Sequence, residues 1–459
     1  MKPLDILLLN PPGRQVYVRD YYCSKVSKSN YLFHPVDLLM LSGTLAARHN
    51  VSVIDAIADR LTEAAFLERF RALRPDVVIS LAGAVALDDD LRLLDTLASS
   101  GSRIIVTGDV FLDGPRGWLD RCPFIEAVIM DFTSGHINDY LEGENDSAPS
   151  IITRSARQTP AFTRTSGVEF SIPIPRHELF TSRNYNFPFV RHRAFATVLT
   201  DYGCPFLCSF CIMATLGYRY RGIDNVLAEL HYLWETGKRE IFFMDQTFGT
   251  IRQRTLEICR RMAEDGLKFG WVCYSRVDLV DRELLLAMGG AGCHTIIFGV
   301  ESASEEILRK YRKGYTRQQI RATFALCREL GIRTVATFII GLPEDSWVTA
   351  METIDFLTEI KADFASFNIA VPRAGTPLRD EAIALGLTSA DTSIMDQSGS
   401  TISMPSRYLT RDEIMRLKSL ALRRFYLRPS YLLHRLARIR SWYELKEQLR
   451  EGYHLFVKQ

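Results

Sequence analysis

Short apolar runs recur along this chain, each followed by a stretch with helical apolar spacing, and that alternation leaves few folds open. Asp5-Ile6-Leu7-Leu8-Leu9-Asn10 reads as a first strand, stopped by Pro11-Pro12-Gly13. Leu38 to Arg48 has helical spacing, and Val51 to Asp55 is again strand-like. Ala64 to Leu73 and Asp76 to Ser80 repeat the unit, as do Leu91 to Ala98 and Arg103 to Gly108. Ala127 to Met130 closes the series. Strands and helices in strict alternation pack as a doubly wound parallel sheet of α/β type, with ligand loops at the carboxyl ends of the strands.

The alternation lapses over 146–190, which is rich in Ser, Thr, Arg and Pro and reads as a linker with a bridging strand or two. It resumes with the strand Phe195 to Thr200. A helix follows over Asn225 to Trp234, with Asp224 as its expected N-cap and Gly237 as its stop. Strands recur at 240–244, 270–274, 295–300, 333–340 and 364–371, which predicts a partial parallel (β/α)6 barrel with its chemistry at the carboxyl strand ends. The expected organisation is therefore 1–145, a Rossmann-type sheet domain; 146–190, a linker; 191–380, the barrel; and 381–459, a helical extension. That extension carries Arg416, Lys418, Arg423, Arg424, Arg428, Arg435, Arg438 and Arg440 among leucines and tyrosines. It reads first as a helical cap with a solvated basic face, and second as a surface that meets a membrane or an acidic carrier.

A formal net charge of +2 gives no argument for a nucleic-acid partner, and no run approaches the roughly 18–20 apolar residues of a membrane span. The nine cysteines are an odd number in a long chain without an export signal, so reduced thiols in a cytoplasm are expected. Cys23, Cys122, Cys259, Cys273, Cys293 and Cys327 are scattered and read as small core hydrophobes.

The other three fall together in Gly203-Cys204-Pro205-Phe206-Leu207-Cys208-Ser209-Phe210-Cys211, directly after the first barrel strand. Three thiolates on one tight loop suit one soft metal centre. Zinc usually takes a fourth Cys or His, and the next histidine, His231, falls on a helix. Three cysteines suit a 4Fe–4S cluster with one iron open to a substrate.

This CxxxCxxC loop, with an aromatic before its last cysteine, resembles the radical SAM superfamily. The resemblance implies that Cys204, Cys208 and Cys211 hold a 4Fe–4S cluster, that the open iron chelates S-adenosylmethionine (SAM), and that Phe210 lies near the adenine. One electron from the cluster would then break an S–C bond to give a 5′-deoxyadenosyl radical. Further segments match in order. Met244-Asp245-Gln246-Thr247-Phe248 resembles the family's "DD.F" segment, with Gln246 in place of a second acid. Arg276 is implied as a partner for the SAM carboxylate; Glu301, followed by Ser302, as an acceptor for the ribose or ammonium; and Ile339 and Gly341 as an adenine-binding segment in which Thr337 replaces a frequent glycine. Pro372 to Leu378 resembles the segment after the sixth strand.

The first domain, with Leu8-Leu9-Asn10-Pro11-Pro12 and His34-Pro35-Val36-Asp37-Leu38, resembles the cobalamin-dependent branch of that superfamily, in which cobalamin lies over the carboxyl edge of the sheet. By that resemblance Asn10, Ser80 and Gly108 would contact cobalamin. The chain departs from the branch in lacking DxHxxG. Its loops after the fourth and fifth strands are Gly108-Asp109-Val110-Phe111-Leu112 and Asp131-Phe132-Thr133-Ser134-Gly135. A domain that kept the architecture and lost the ligand is the alternative. His34 and His136 read as turn or surface histidines.

The expected function is cobalamin-dependent C-methylation of a small molecule or lipid, with flavodoxin or ferredoxin as the reducing partner. A radical cyclisation, rearrangement or oxidation, with or without cobalamin, is the second expectation. A non-catalytic cluster protein that binds SAM without cleaving it is the third.

Overall fold

The computed structural model describes residues 2–21, 24–144, 148–155, 166–392, 395–429, 431–433 and 452. The chain divides into two compact units. One comprises Met1–Ser27, Tyr31–Phe187 and Thr215–Tyr232; the other comprises Lys28–Asn30, Pro188–Ala214 and Leu233–Gln459. Among the described residues no helix is long and apolar enough to cross a membrane.

The first unit is built on β1 (Asp5–Asn10), β2 (Asn50–Asp55), β3 (Val77–Leu81), β4 (Arg103–Thr107), β5 (Ile125–Ile129) and β6 (Ile151–Thr153). Its order is β2-β1-β3-β4-β5-β6, parallel except for the antiparallel β6, which comes from the stretch read as a linker. Leu7, Leu9, Val78, Ile104, Val106 and Val128 are buried with Phe66, Leu94 and Leu97 from the flanking helices, as near-continuous apolar strands require. The helix Glu63–Leu73 shows why these segments start and stop where they do. Thr62 accepts a hydrogen bond from the Ala65 N–H at its start, and Arg74 takes a left-handed conformation at its end. A second part of the linker, Ser166–Phe170, pairs with Tyr218–Arg221 in the same unit. The helix expected to begin after Asp224 instead spans Ile223–Glu235, so Asp224 lies inside its first turn.

Because β1 lies between β2 and β3, the order in which strands are added to the sheet reverses at β1/β3, where doubly wound sheets place their ligands. The segment after β1 folds back over this edge. The Arg19 guanidinium is buried and donates to both carboxylate oxygens of Asp90, at 2.9 and 2.7 Å, and to the carbonyl of Pro11 at 2.8 Å. The Tyr21 N–H donates to Asp37, and the Ser24 N–H and hydroxyl donate to Asp109. His34 is not a surface histidine: it is buried, with its ring 4.2 Å from that of Tyr185. His136 is half-buried, with Nδ1 2.9 Å from the Ser150 hydroxyl.

The second unit carries six parallel strands in simple order: β7 (Phe195–Val198), β8 (Glu240–Phe243), β9 (Gly270–Ser275), β10 (Cys293–Glu301), β11 (Arg333–Ile340) and β12 (Phe364–Ile369). β10 and β11 slip register between Gly299 and Glu301. Cys259, Cys273, Cys293 and Cys327 are buried in this unit and Cys122 in the first; Cys23 lies outside the described residues. The helix Arg411–Tyr426 buries Ile414, Leu417, Ala421, Leu422 and Phe425, while Arg416, Arg423 and Arg424 are exposed. Lys418 is buried instead, donating to the Ser398 carbonyl at 2.6 Å. At the outer edge of β12 the Tyr426 hydroxyl donates to the Ala365 carbonyl and accepts from its N–H. Arg435, Arg438 and Arg440 lie outside the described residues.

Replacing Asp90 with alanine leaves the Arg19 charge buried without its carboxylate, and is expected to cost about 3–5 kcal/mol. Urea unfolding of wild type and Asp90→Ala measures the difference.

Candidate active site

The cysteine loop begins where β7 hands over to Asp201–Gly203, and Gly203 turns the chain with φ of +76°. The turn is held from the neighbouring strand. Asp245, just past β8, accepts from the N–H groups of Thr200 and Asp201 at 2.5 and 2.9 Å and from the Thr200 hydroxyl at 2.6 Å. Arg254 braces the same turn, donating to Asp201 Oδ1 and to the Thr200 carbonyl, both at 3.0 Å. On the far side the Ser209 N–H donates to the Tyr311 carbonyl, and the Leu378 N–H donates to that of Ser209. Residues remote in sequence thus fix the loop that carries the thiols.

Cys204 Sγ lies 3.6 Å from the Thr247 hydroxyl, and Cys208 Sγ 3.9 Å from the Arg312 carbonyl. Burial pushes the Cys211 thiol up to about 12, reinforced by the facing Cys204 and Cys208, and burial also raises Cys204. Thiols raised in this way become ligands by losing their protons to a metal's positive charge. Among the described residues no three Cys, His, Asp or Glu side chains converge on a single metal ion. In a 4Fe–4S cluster each of three thiolates takes a separate iron, whereas a structural zinc usually takes four Cys or His ligands.

Glu301 ends β10 in the left-handed region, φ +67°, directly after the register slip. A non-glycine residue there is strained, and such strain gathers at functional sites. Its carboxylate is 3.1 Å from the Lys313 ammonium, and both side chains are nearly buried. Gly299 makes the room: a Cβ there would stand 2.5 Å from Glu301 Oε1. Lys313 also lies 5.6 Å from the ring centre of Phe210 and 5.4 Å from that of Tyr315. Phe210 and Ile339 are partly buried against one apolar cluster that includes Tyr311, Leu342, Ala370 and Leu378. Cys204, Cys208, Cys211 and Phe210, on the loop after β7, Glu301, the last residue of β10, and Ile339, near the end of β11, all belong to the carboxyl strand ends of the same unit.

Several residues expected to touch a cofactor are occupied elsewhere. Asp245 is fully buried and clamps the turn, so it positions the loop. Ser302 accepts from the Ser304 N–H and lies against Thr353, which makes it part of a turn. The Gly341 N–H donates to Asp345, and its φ of +89° and a Cβ position 2.9 Å from Ile414 explain the glycine through packing. In the first unit, the Asn10 side chain donates to Asp55 and accepts from Arg19, while the Ser80 hydroxyl donates to the Leu81 carbonyl. Gly108 is required because a Cβ would fall 2.0 Å from the Ala82 carbonyl oxygen. These glycines and polar groups serve the chain itself. Among the described residues of the first unit, Asp37 Oδ1, Thr107 Oγ1 and Ser27 Oγ are buried without a hydrogen-bond partner.

Lys313 is the residue that the sequence reading missed. Its signal was the basic pair Arg312-Lys313 between Tyr311 and Tyr315, a pattern equally suited to a solvated turn.

The radical SAM superfamily model matches residues 198–357. An uncharacterized methyltransferase of Pyrococcus horikoshii is 30% identical over 94% of this chain and 95% of its own length. The chain belongs to the radical SAM superfamily. Two solved structures share the fold. One is the radical S-adenosylmethionine methyltransferase TsrM from Kitasatospora setae, with TM-score 0.66 and 18% identity over 84% of this chain and 77% of that one. The other is OxsB, a cobalamin-dependent S-adenosylmethionine radical enzyme, with TM-score 0.68 and 16% identity over 99% of this chain and 72% of that one. This chain is accordingly a radical SAM enzyme, whose family uses a 4Fe–4S cluster and SAM.

Asp345 supplies a pH test of the segment after β11. Burial raises its carboxyl from 3.8 to about 7, against the opposing hydrogen bonds from Gly341, Leu342 and Thr349. Between those values the unfolded chain releases a proton that the folded chain keeps, so this group's contribution to stability falls as pH rises through the window. Denaturant titrations across the window are expected to show a shallower decline for Asp345→Asn than for wild type.

Proposed function

We propose that this enzyme uses the 5′-deoxyadenosyl radical for cobalamin-dependent C-methylation of a small molecule or lipid. The observation that carries the radical step is the buried Glu301–Lys313 pair beside the cysteine loop. A carboxylate and an ammonium side by side match the ammonium and carboxylate of SAM's methionyl end. Cys204, Cys208 and Cys211 would hold the cluster, and Phe210 with Ile339 would take the adenine between apolar faces. When bound, the cluster supplies the electron that cleaves SAM. The chain's own part is to orient the zwitterion through Glu301 and Lys313, to keep water out with the Phe210 cluster, and to fix the thiol loop through Asp245.

Methylation is supported by the full-length relative named a methyltransferase and by the cobalamin-dependent fold neighbour. When bound, cobalamin supplies the carried methyl group. The residues that would hold it are Asp37, Thr107 and Ser27, whose unpartnered buried atoms suit the amide-rich rim of a corrin. A low-potential donor of the flavodoxin or ferredoxin class would supply the electron. One observation favours the second reading, a cyclisation, rearrangement or oxidation with or without cobalamin: the Asn10 and Ser80 side chains already bond to the chain's own groups.

Anaerobic reconstitution with iron, sulfide and hydroxocobalamin, then desalting and a visible spectrum, tests the proposal. About four irons per chain with retained cobalamin absorbance is the expected result. Iron without retained cobalamin would turn the search to the second reading. Cys208→Ala is expected to abolish 5′-deoxyadenosine formation from SAM, measured by chromatography of the reduced enzyme. Gly299→Ala, which presses on Glu301, is expected to weaken SAM binding more than about tenfold by calorimetry.

A further inference from the structure

Arg276 was expected to meet the SAM carboxylate, yet its guanidinium is enclosed by the chain. Nε donates to Asp278 Oδ1 at 2.9 Å, and Nη2 donates to Asp278 Oδ2 at 2.8 Å and to the Lys313 carbonyl. The plane lies 3.8 Å from the ring centre of Phe206, which sits between Cys204 and Cys208 on the cysteine loop. Tyr315 flanks it at 5.1 Å, and the side chain is only 7% exposed. One nitrogen remains, Nη1, and it donates an N–H toward Cys208 Sγ, 3.8 Å away.

A guanidinium held on so many sides loses those bonds if it swings out to a substrate, whereas Lys313 makes a single ion pair, to Glu301, between the Phe210 and Tyr315 rings. We propose that Arg276 is a positioning residue for the reduction step, which sets the cluster's reduction potential by directing an N–H and a fixed positive charge at the Cys208 sulfur. This rests on the assignment of Cys204, Cys208 and Cys211 as cluster ligands. Reduction moves one electron from an external low-potential donor onto the cluster and forms no new bond, so negative charge grows on iron and on the ligand sulfurs. A hydrogen bond and a cation at one of those sulfurs stabilise the reduced form and raise the potential. Asp278 offsets part of the charge, and its two bonds orient the remaining donor. The planar, permanently charged fork of arginine suits a group that must satisfy a carboxylate, a carbonyl and a sulfur at once, which lysine's point charge does not.

The test is a dithionite titration of reconstituted wild type, Arg276→Gln and Arg276→Lys, followed by electron paramagnetic resonance, with the SAM dissociation constant measured on each. Arg276→Gln is expected to lower the midpoint potential while SAM affinity stays within about twofold of wild type. Arg276→Lys, which keeps charge but not geometry, is expected to fall between the two. An unchanged midpoint in both variants with SAM binding weakened about tenfold or more overturns the proposal and returns Arg276 to the carboxylate. If Arg276→Gln takes up no iron, the Arg276→Lys midpoint decides. A wild-type protein that assembles no cluster refutes the ligand assignment instead, so the two failures are distinct.

Discussion

The active end of the second unit depends on one buried carboxylate. Asp245 accepts two backbone N–H groups and a hydroxyl from the turn that precedes Cys204, and Arg254 braces the same turn from its helix through the Thr200 carbonyl and the Asp201 carboxylate. A loop with three thiols has no regular hydrogen-bond ladder of its own, so its shape must be imposed from outside. Asp245 anchors its start, and the Tyr311 carbonyl and the Leu378 N–H anchor its middle. The neighbouring strand ends then converge on a loop whose position is already set.

Around that loop the chain separates charge by role. Glu301 and Lys313 form a pair whose members can each turn to an opposite charge on a ligand. Arg276 is tied to Asp278 and to the cysteine loop. The Arg276 guanidinium, 3.8 Å from Cys208 Sγ, is anchored by two bonds to a carboxylate, while Lys313 makes one ion pair to Glu301. The strained backbone at Glu301 and the missing side chain at Gly299 are what allow the pair to lie side by side.

Much of this was legible beforehand because it is local. The spacing of Cys204, Cys208 and Cys211 lies within one turn of chain, and apolar runs such as Ile6 to Leu9 declare a buried parallel strand without reference to partners. Phe210, Glu301 and Ile339 were expected from the family resemblance, and the parallel strand order brings their segments to one end of the second unit. What escaped was the direction in which a polar side chain turns. Asp245, Ser302 and Asn10 do sit at strand ends, but each is satisfied by a nearby group of the chain, a choice made by three-dimensional proximity. Lys313 escaped for the complementary reason: its loop carries Arg312 at φ +56°, and that turn brings the ammonium back to β10.

The Tyr426 hydroxyl at the rim of β12 has a consequence for how the molecule keeps itself apart from its copies. A six-stranded open sheet ends in a row of unanswered peptide groups, the usual template for sticking to another chain. Here Ala365 is answered by a phenol from the last described long helix, and the N–H of Ile369 by the carbonyl of Gln397. The segment that seemed an appendage therefore acts as a selvedge, a finished border that stops the weave from continuing into a neighbour.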